Sequence, residues 1–362
     1  MLFYFSERET LNLSHIPQIK NVRTYKDFRR LYNTDCVKIQ RRTREGKTIY
    51  PIEVSLLVPQ WTGDISRHDG FSVILNISED ILELARRRLC RILIISIVEG
   101  DSFVSNNWDG YLALHHDITQ RKLPPKSVII IAGNLKARQE YTEWCKQKGV
   151  DELLDIHSGI GWDGKSFYDG TLCIDQKPTK PINSLNRAPK LHREKHVTWL
   201  KDNDLVYNNL VSGYGYTVDL NDTMSHSLGN ITNRDIYNQT MLSVVTESHF
   251  YETGLFITEK TFRSIAIGHP AVILGQPNLL DYLDSIGFNL RWPGLNTTYD
   301  AIIDNDIRFE KFHRTVYEWC TKTHNEREQL RQSWKPIIKQ NADIFKKLDF
   351  KKLMMDTALL NT

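Results

Sequence analysis

Apolar residues along this chain fall into short continuous runs separated by longer amphipathic stretches, and the alternation becomes regular from about residue 81. The run Arg91-Ile-Leu-Ile-Ile-Ser-Ile-Val98 is apolar at successive positions, as a strand covered on both faces must be. Asp80 to Arg88 before it has helical spacing. Trp108 to Lys122 predicts a helix, Ser127 to Ala132 a second buried strand ended by Gly133, and Leu135 to Lys148 another helix. Further on, Leu242 to Val245 predicts a buried strand, and Thr258 suits a helix N-cap because its hydroxyl can accept an otherwise unpaired amide. Phe262, Ile265 and Ala266 give that helix an apolar stripe, Gly268 and Pro270 end it, and Ala271 to Leu274 is the next strand, closed by Gly275. From about Arg308 the pattern is mostly helical, interrupted at Pro336. Before residue 80 only short strand-like pieces stand out, at Met1–Phe5, Tyr50–Val58 and Phe71–Ile77.

Strands alternating with helices predict an α/β protein with a parallel sheet covered on both faces. Residues 155–183 carry several glycines and the run Lys177-Pro-Thr-Lys-Pro181, a composition typical of a linker. The predicted domains are therefore 1–178 and 179–345, each Rossmann-like, with 346–362 a C-terminal helix that packs back on the first. A chain of 362 residues is long enough for two such cores.

Composition narrows the class. With 40% hydrophobic and 25% charged residues, disorder is not the expected state. No stretch approaches the roughly 20 apolar residues of a membrane span, and Met1 to Ser14 lacks the basic start and long apolar core of a signal peptide. Cys36, Cys90, Cys145, Cys173 and Cys320 are scattered, fit no metal spacing, and point to a reducing cytoplasm. Net charge is only +3, yet residues 1–50 hold 11 Lys/Arg against 5 Asp/Glu. Arg41, Arg42, Arg44 and Lys47 form one basic cluster, and Arg86, Arg87, Arg88 and Arg91 another. Such patches attract polyanions, but a solvated charged face produces the same pattern more often.

Candidate chemistry gathers around residues 246–260. Thr246, Glu247 and Ser248 follow a buried strand at its carboxyl end, where open α/β sheets bind ligands. Glu259 and Lys260 lie in the first turn of the next helix, beside free amides and the positive end of its dipole. A diphosphate is at home there, with Lys260 adding a point charge and Glu259 accepting both hydroxyls of a ribose. The plainer alternative makes Glu259 a dipole partner and Lys260 a solvated charge. Asn186, Arg187, Lys190, His192 and Arg193 open the second half between a short strand and a helix through Leu200. A basic helix start is unfavourable beside the dipole unless an anion is present. Glu99 and Asp101 follow the strand at 91–98 and are placed for a general base acting on an acceptor hydroxyl. His115, His116 and Asp117 offer other bases, but inside a predicted helix, where a structural role is the commoner one.

Glu247-Ser248, then Phe256-Ile257-Thr258-Glu259-Lys260 and the run Gly268 to Gly275, resemble the nucleotide-binding part of the α-1,3-fucosyltransferases. Exostosin-like and phage-encoded glycosyltransferases carry a similar block. In related-looking enzymes an N-R-x-P-R-x-H-R block like Asn186 to Arg193 lies beside the donor phosphates, here with Lys190 in place of an arginine. The resemblance implies a GT-B type fold, two Rossmann-like domains facing across a cleft, with Glu259 on the ribose and Lys260 on the phosphates of a UDP- or GDP-linked sugar. Phe256 stands where the family has tyrosine, no asparagine follows Glu247, and the intervening loop is longer. It therefore implies a sugar transferase rather than a fucosyl donor.

The D-x-D sequences Asp202-Asn-Asp204 and Asp304-Asn-Asp306 follow no buried strand, and Glu252 and Glu259 are one residue too close for the E-x7-E pattern of retaining enzymes. The expectation is an inverting, metal-independent glycosyltransferase without other cofactors, acting in bacterial or phage-infected host cytoplasm. Its acceptor would be a glycan, or a hydroxymethylated base in phage DNA held by Arg41, Arg42, Arg44, Lys47, Arg86, Arg87 and Arg88. The rival is a non-catalytic nucleic-acid-binding or assembly protein on the same fold.

Overall fold

The computed structural model describes residues 48–53, 79–88, 90–96, 104–105, 108–158, 171–186, 190–213, 234–251 and 254–348. They belong to two compact units, one reaching Gly161 and the other spanning Trp162–Leu348. No helix among the described residues is long and apolar enough to cross a membrane.

The first unit contains β1 (Thr48–Glu53), α1 (Glu79–Arg86), β2 (Cys90–Ser96) and a two-residue antiparallel pair, β3 (Val104–Ser105) with β4 (Trp108–Asp109). It continues with α2 (Gly110–Gln120), β5 (Val128–Ala132), α3 (Ala137–Lys148) and β6 (Leu154–Ser158). Its sheet is parallel with order β1-β2-β5-β6, in register at Ile92 with Val128 and Val128 with Leu154. Leu82, Ala85, Leu114, Ile118, Ile130 and Ile156 fill the core between helices and sheet. Helix α3 ends at Gly149, whose φ of 66° is left-handed; a side chain there would be strained, and the turn pairs Val150 N–H with Cys145 O. Arg86 pairs with Glu79 and Glu83 and donates to Arg121 O, while Arg91 pairs with Asp155. Of that basic cluster, Arg87 and Arg88 are exposed and have no such partner among the described residues; Arg41, Arg42, Arg44 and Lys47 lie outside them.

The second unit contains β7 (Lys180–Leu185), α4 (Leu191–Asp202), β8 (Leu210–Ser212), α5 (Arg234–Gln239), β9 (Thr240–Thr246), α6 (Glu259–Ala266), β10 (Ala271–Leu274) and α7 (Leu279–Ser285). Three helices close it: α8 (Asn305–Thr321), α9 (His324–Ser333) and α10 (Lys335–Lys347). Its parallel sheet has the order β10-β9-β7-β8. Strand β9 is apolar and buried through Met241, Leu242 and Val244, as its sequence predicts.

Three expectations change. The linker proposed at 155–183 instead supplies two strands, since β6 completes the first sheet and β7 is central in the second. Pro181 is tolerated in β7 because β8 pairs only from Asn183 onward, so no ladder bond is lost on that side, and its carbonyl accepts from Trp319 Nε1 at 3.0 Å. The boundary also precedes residue 178: Arg331 donates to the carbonyls of Cys173, Ile174 and Gln176, which ties that segment to the second unit. Finally, the break expected at Pro336 falls just before it, at Trp334 between α9 and α10. Pro336 occupies the first turn of α10, where its missing N–H has no partner to lose. The helix expected over 346–362 lies outside the described residues beyond Leu348.

Candidate functional site

The connections in the second sheet decide where a ligand can sit. From β7 the chain passes through α4 to β8 on one side, and from β9 it passes through α6 to β10 on the other. Because β7 and β9 are neighbours, the helices that follow them leave in opposite directions, which opens a crevice at the carboxyl ends of the two strands. The residues there are Asn186 after β7, Thr246 to Ser248 after β9, and the first turns of α4 and α6.

Glu247 is the anchor of this corner and has no exposed surface. Its Oε1 accepts from Thr258 N at 3.1 Å and Thr261 Oγ1 at 2.6 Å, and its Oε2 from Ser248 N at 3.1 Å and Thr258 Oγ1 at 2.6 Å. Four donors satisfy both oxygens, so the carboxylate is stable in the interior. It also places the protein's own negative charge at the start of α6, the position the sequence suggested for a diphosphate. Thr258 caps the helix as predicted, its hydroxyl accepting from Lys260 N.

The basic block at 190–193 is turned largely inward. Arg193, buried, donates through Nη2 to the carbonyls of Thr246 and Glu247 at 3.1 and 3.0 Å. His192, also buried, bonds Glu247 O at 2.9 Å, which requires the proton on Nε2. Asn186 accepts from Thr246 Oγ1 and donates to Ser184 Oγ. These residues clamp the end of β9 to the start of α4 and the end of β7. Phe256 is likewise buried, its ring edge-on to His249 and its N–H bonded to Gln276 Oε1.

Two ammonium groups remain partly exposed and meet at Ser248. Lys190 Nζ donates to Ser248 O at 2.8 Å, its single bond among the described residues. Lys260 Nζ donates to Ser248 Oγ at 3.2 Å and Thr258 Oγ1 at 3.2 Å, and pairs with Glu259 Oε1 at 3.0 Å. All three of its donors are thus in use, and Glu259 offsets part of its charge, whereas Lys190 keeps two donors for an incoming anion. The N-cap position of α4 is Lys190 itself, with no side chain capping the helix.

Of the candidate bases, Glu99 and Asp101 lie outside the described residues, as does Arg187 of the donor block. His115 is in the core of the first unit, which does not suit a base that must reach an acceptor. Its Nε2 is 2.7 Å from Tyr141 Oη, and its ring packs edge-on against Trp144. The phenol oxygen already accepts from the N–H groups of Leu153 and Leu154, so its own hydrogen is the one shared with the imidazole. His116 is exposed and Asp117 buried on the same helix. Sequence reasoning missed Tyr141 and Thr261 altogether, because a buried hydroxyl announces itself only through its partners. Asp304 caps α8 by accepting from Asp306 N and Ile307 N, and Asp202 ends α4, so both D-x-D sequences are helix ends as expected.

No family model matches the chain, and no curated protein matches it. Among solved structures it is similar to a DNA-modifying β-glucosyltransferase studied with and without uridine diphosphoglucose, at 11% identity over 99% of this chain and 98% of that one, with a TM-score of 0.39. It is also similar to a phage T4 β-glucosyltransferase mutant in complex with UDP-glucose, at 12% identity over 88% and 84% of the chains, with a TM-score of 0.35.

Proposed function

We propose that the chain is a glycosyltransferase whose second unit binds a UDP- or GDP-linked sugar at the carboxyl ends of β7 and β9. One observation carries this reading: Lys190 and Lys260, from the starts of two different helices, converge on Ser248 where the winding of the sheet reverses. A leaving diphosphate needs positive charge that is already in place, and a lysine pair on a clamped backbone provides it. In the inverting reaction we infer, the acceptor oxygen bonds to the anomeric carbon as the bond from that carbon to phosphate breaks. The acceptor proton passes to Glu99, with Asp101 the next candidate, and the nucleoside diphosphate departs as an anion held by Lys190 and Lys260. Glu259, released when Lys260 turns to phosphate, accepts from the ribose hydroxyls. The lysines supply the charge otherwise given by a metal ion, and the acceptor is a glycan or a hydroxymethylated base in phage DNA.

The test is a thermal-shift screen of the full chain against UDP, GDP and their sugars, because a ligand that binds only the native state raises its stability. Stabilisation by one nucleotide, lost when Lys190 and Lys260 are both changed to Met, is the expected result. Failure of every nucleotide to shift the transition overturns the proposal.

A further inference from the structure

A second feature of this unit has no part in the donor site. Between α4 and α8 lies a cavity of about 460 Å³ whose walls include the rings of Trp199, Phe309 and Tyr317. Trp199 lies flat on His313 at 4.0 Å between centroids, and Phe309 meets the same imidazole edge-on at 4.2 Å. Asp306 and Glu310 stand on its rim one helical turn apart, exposed and without an ion-pair partner among the described residues. Arg314, the cation on the same face, is taken up by Glu318 at 2.9 Å. The cavity is therefore aromatic within and negative at its mouth.

His313 connects it to the interior. The residue is only 4% exposed, lines the cavity, and uses Nε2 to bond His196 Nδ1 at 2.9 Å. Nε2 is the ring nitrogen with a hydrogen-bond partner among the described residues, and Nδ1 has none. Beyond His196 the chain of bonds continues to Ser184 Oγ at 3.0 Å, then Asn186 Nδ2 at 2.9 Å, then Thr246 Oγ1 at 2.5 Å at the end of β9. A polar chain of this length in a protein interior is costly unless every member is paired, and its unpaired end belongs to a residue that lines the cavity.

We propose that this cavity is a second binding site, taking a small organic ammonium ion. Aromatic faces and unpaired carboxylates attract such a cation together, and an ammonium N–H is the donor that His313 Nδ1 lacks. Burial lowers the pKa of His196 to about 3 and of His313 to about 2, so the cation meets a neutral acceptor and not a second positive charge. Donation to Nδ1 fixes the proton of His313 on Nε2, facing His196, and then that of His196 on Nε2, facing Ser184. The ligand thereby sets the polarity of the whole chain as far as Ser184. The site stands apart from the donor reading, since its test reads binding alone.

The probe is putrescine, titrated into the full chain by calorimetry with butanol as the uncharged control, and followed in long-range proton–nitrogen spectra of the imidazole rings. Saturable binding of putrescine but not butanol is expected, with His313 and His196 both carrying the proton on Nε2 in the bound state. The double variant Asp306→Asn, Glu310→Gln alters only exposed groups, so its fold is retained, and it should bind about tenfold more weakly. Absence of saturable binding, equal binding of butanol, or undiminished affinity in the double variant overturns the proposal.

Discussion

The two sheets are both parallel and both four-stranded among the described residues, yet they are wound differently. In the first, each strand is followed by its sheet neighbour, β1 to β2 to β5 to β6, so every crossover steps the same way. In the second, the path reverses between β7 and β9. Only a reversal separates two successive helix starts and leaves a crevice between them. Polar residues at the strand ends of the second unit therefore have a place to act, while those on α2 of the first, such as His115, have been drawn into the core.

Division of labour between the units gives the largest expected effect. Glu99→Gln, a change in the first unit outside the described residues, keeps the size of the side chain but cannot accept the acceptor's proton. Turnover should fall by about 10²–10⁴-fold, the usual cost of a lost general base, while nucleotide affinity measured by calorimetry stays the same. Near-normal turnover would move the base to another residue.

Next is the clamp itself. Glu247→Ala removes an acceptor of four bonds and leaves the N–H groups of Ser248 and Thr258 and the hydroxyl hydrogens of Thr258 and Thr261 without their acceptor. A loss of about 3–5 kcal/mol in urea unfolding is expected, from unpaired donors and lost charge-assisted bonds. A change under about 1 kcal/mol would show that the corner is held by other contacts.

Acid should separate the units. Burial lowers the pKa of His196 to about 3, of His269 to about 4 and of His313 to about 2, all in the second unit. Their unfolded forms take up protons near pH 6.5, whereas the folded forms do not. Stability therefore falls as pH drops below about 6.5. Asp300 opposes this: burial raises its pKa to about 6, so between that value and the unfolded 3.8 the folded state holds the extra proton. Three imidazoles against one carboxyl leave a net loss of about 2–3 kcal/mol per pH unit near pH 5. In the first unit, burial alone would raise Asp155, but His157 and Arg91 hold it at about 2, so its contribution persists until pH falls below 3.8. Hydrogen exchange at pH 5 should show the second unit opening first; equal opening of both would contradict the assignment.

What the sequence revealed follows the same division between apolar and polar signals. Strands β2, β5, β9 and β10 were legible because a continuous apolar run has few alternatives. Strand β7, Lys-Pro-Ile-Asn-Ser-Leu, is only partly legible, its first four residues falling in the expected linker, because its polar residues find partners only in the folded chain: Asn183 donates to Thr240 Oγ1 and Ser184 bonds His196. The basic residues at 190–193 sit beside the carboxyl end of β9, but the direction of their side chains was not legible. An arginine that serves backbone carbonyls and one that serves phosphate have the same need, an oxygen acceptor, and Arg193 met it internally. Lys190 and Lys260, with shorter reach into the interior, kept their place at the opening.

A smaller effect tests whether His115 belongs to the core of the first unit. Tyr141→Phe keeps the ring contacts with Tyr111 and Trp144 but leaves Leu153 N–H, Leu154 N–H and His115 Nε2 without the phenol oxygen. A loss of about 1–3 kcal/mol is expected in denaturant unfolding, with nucleotide binding by the second unit unchanged. Weakened nucleotide binding would mean that the units are coupled through this cluster.

The smallest effect separates the two lysines. Lys190→Met and Lys260→Met each remove a charge from the crevice while keeping an unbranched side chain, so stability should change by less than about 0.5 kcal/mol. Each should weaken the preferred nucleotide, and the order is informative. Lys190 offers two uncommitted donors, whereas Lys260 must first give up Ser248, Thr258 or Glu259 to reach phosphate. Lys190→Met is therefore expected to cost about tenfold in affinity, near 1.4 kcal/mol, and Lys260→Met less. Calorimetry at two salt concentrations checks the origin of the difference, since partly exposed charges are screened. A larger loss from Lys260→Met would show that its three bonds rearrange on binding, and that the start of α6 meets the diphosphate despite the charge of Glu247 already there.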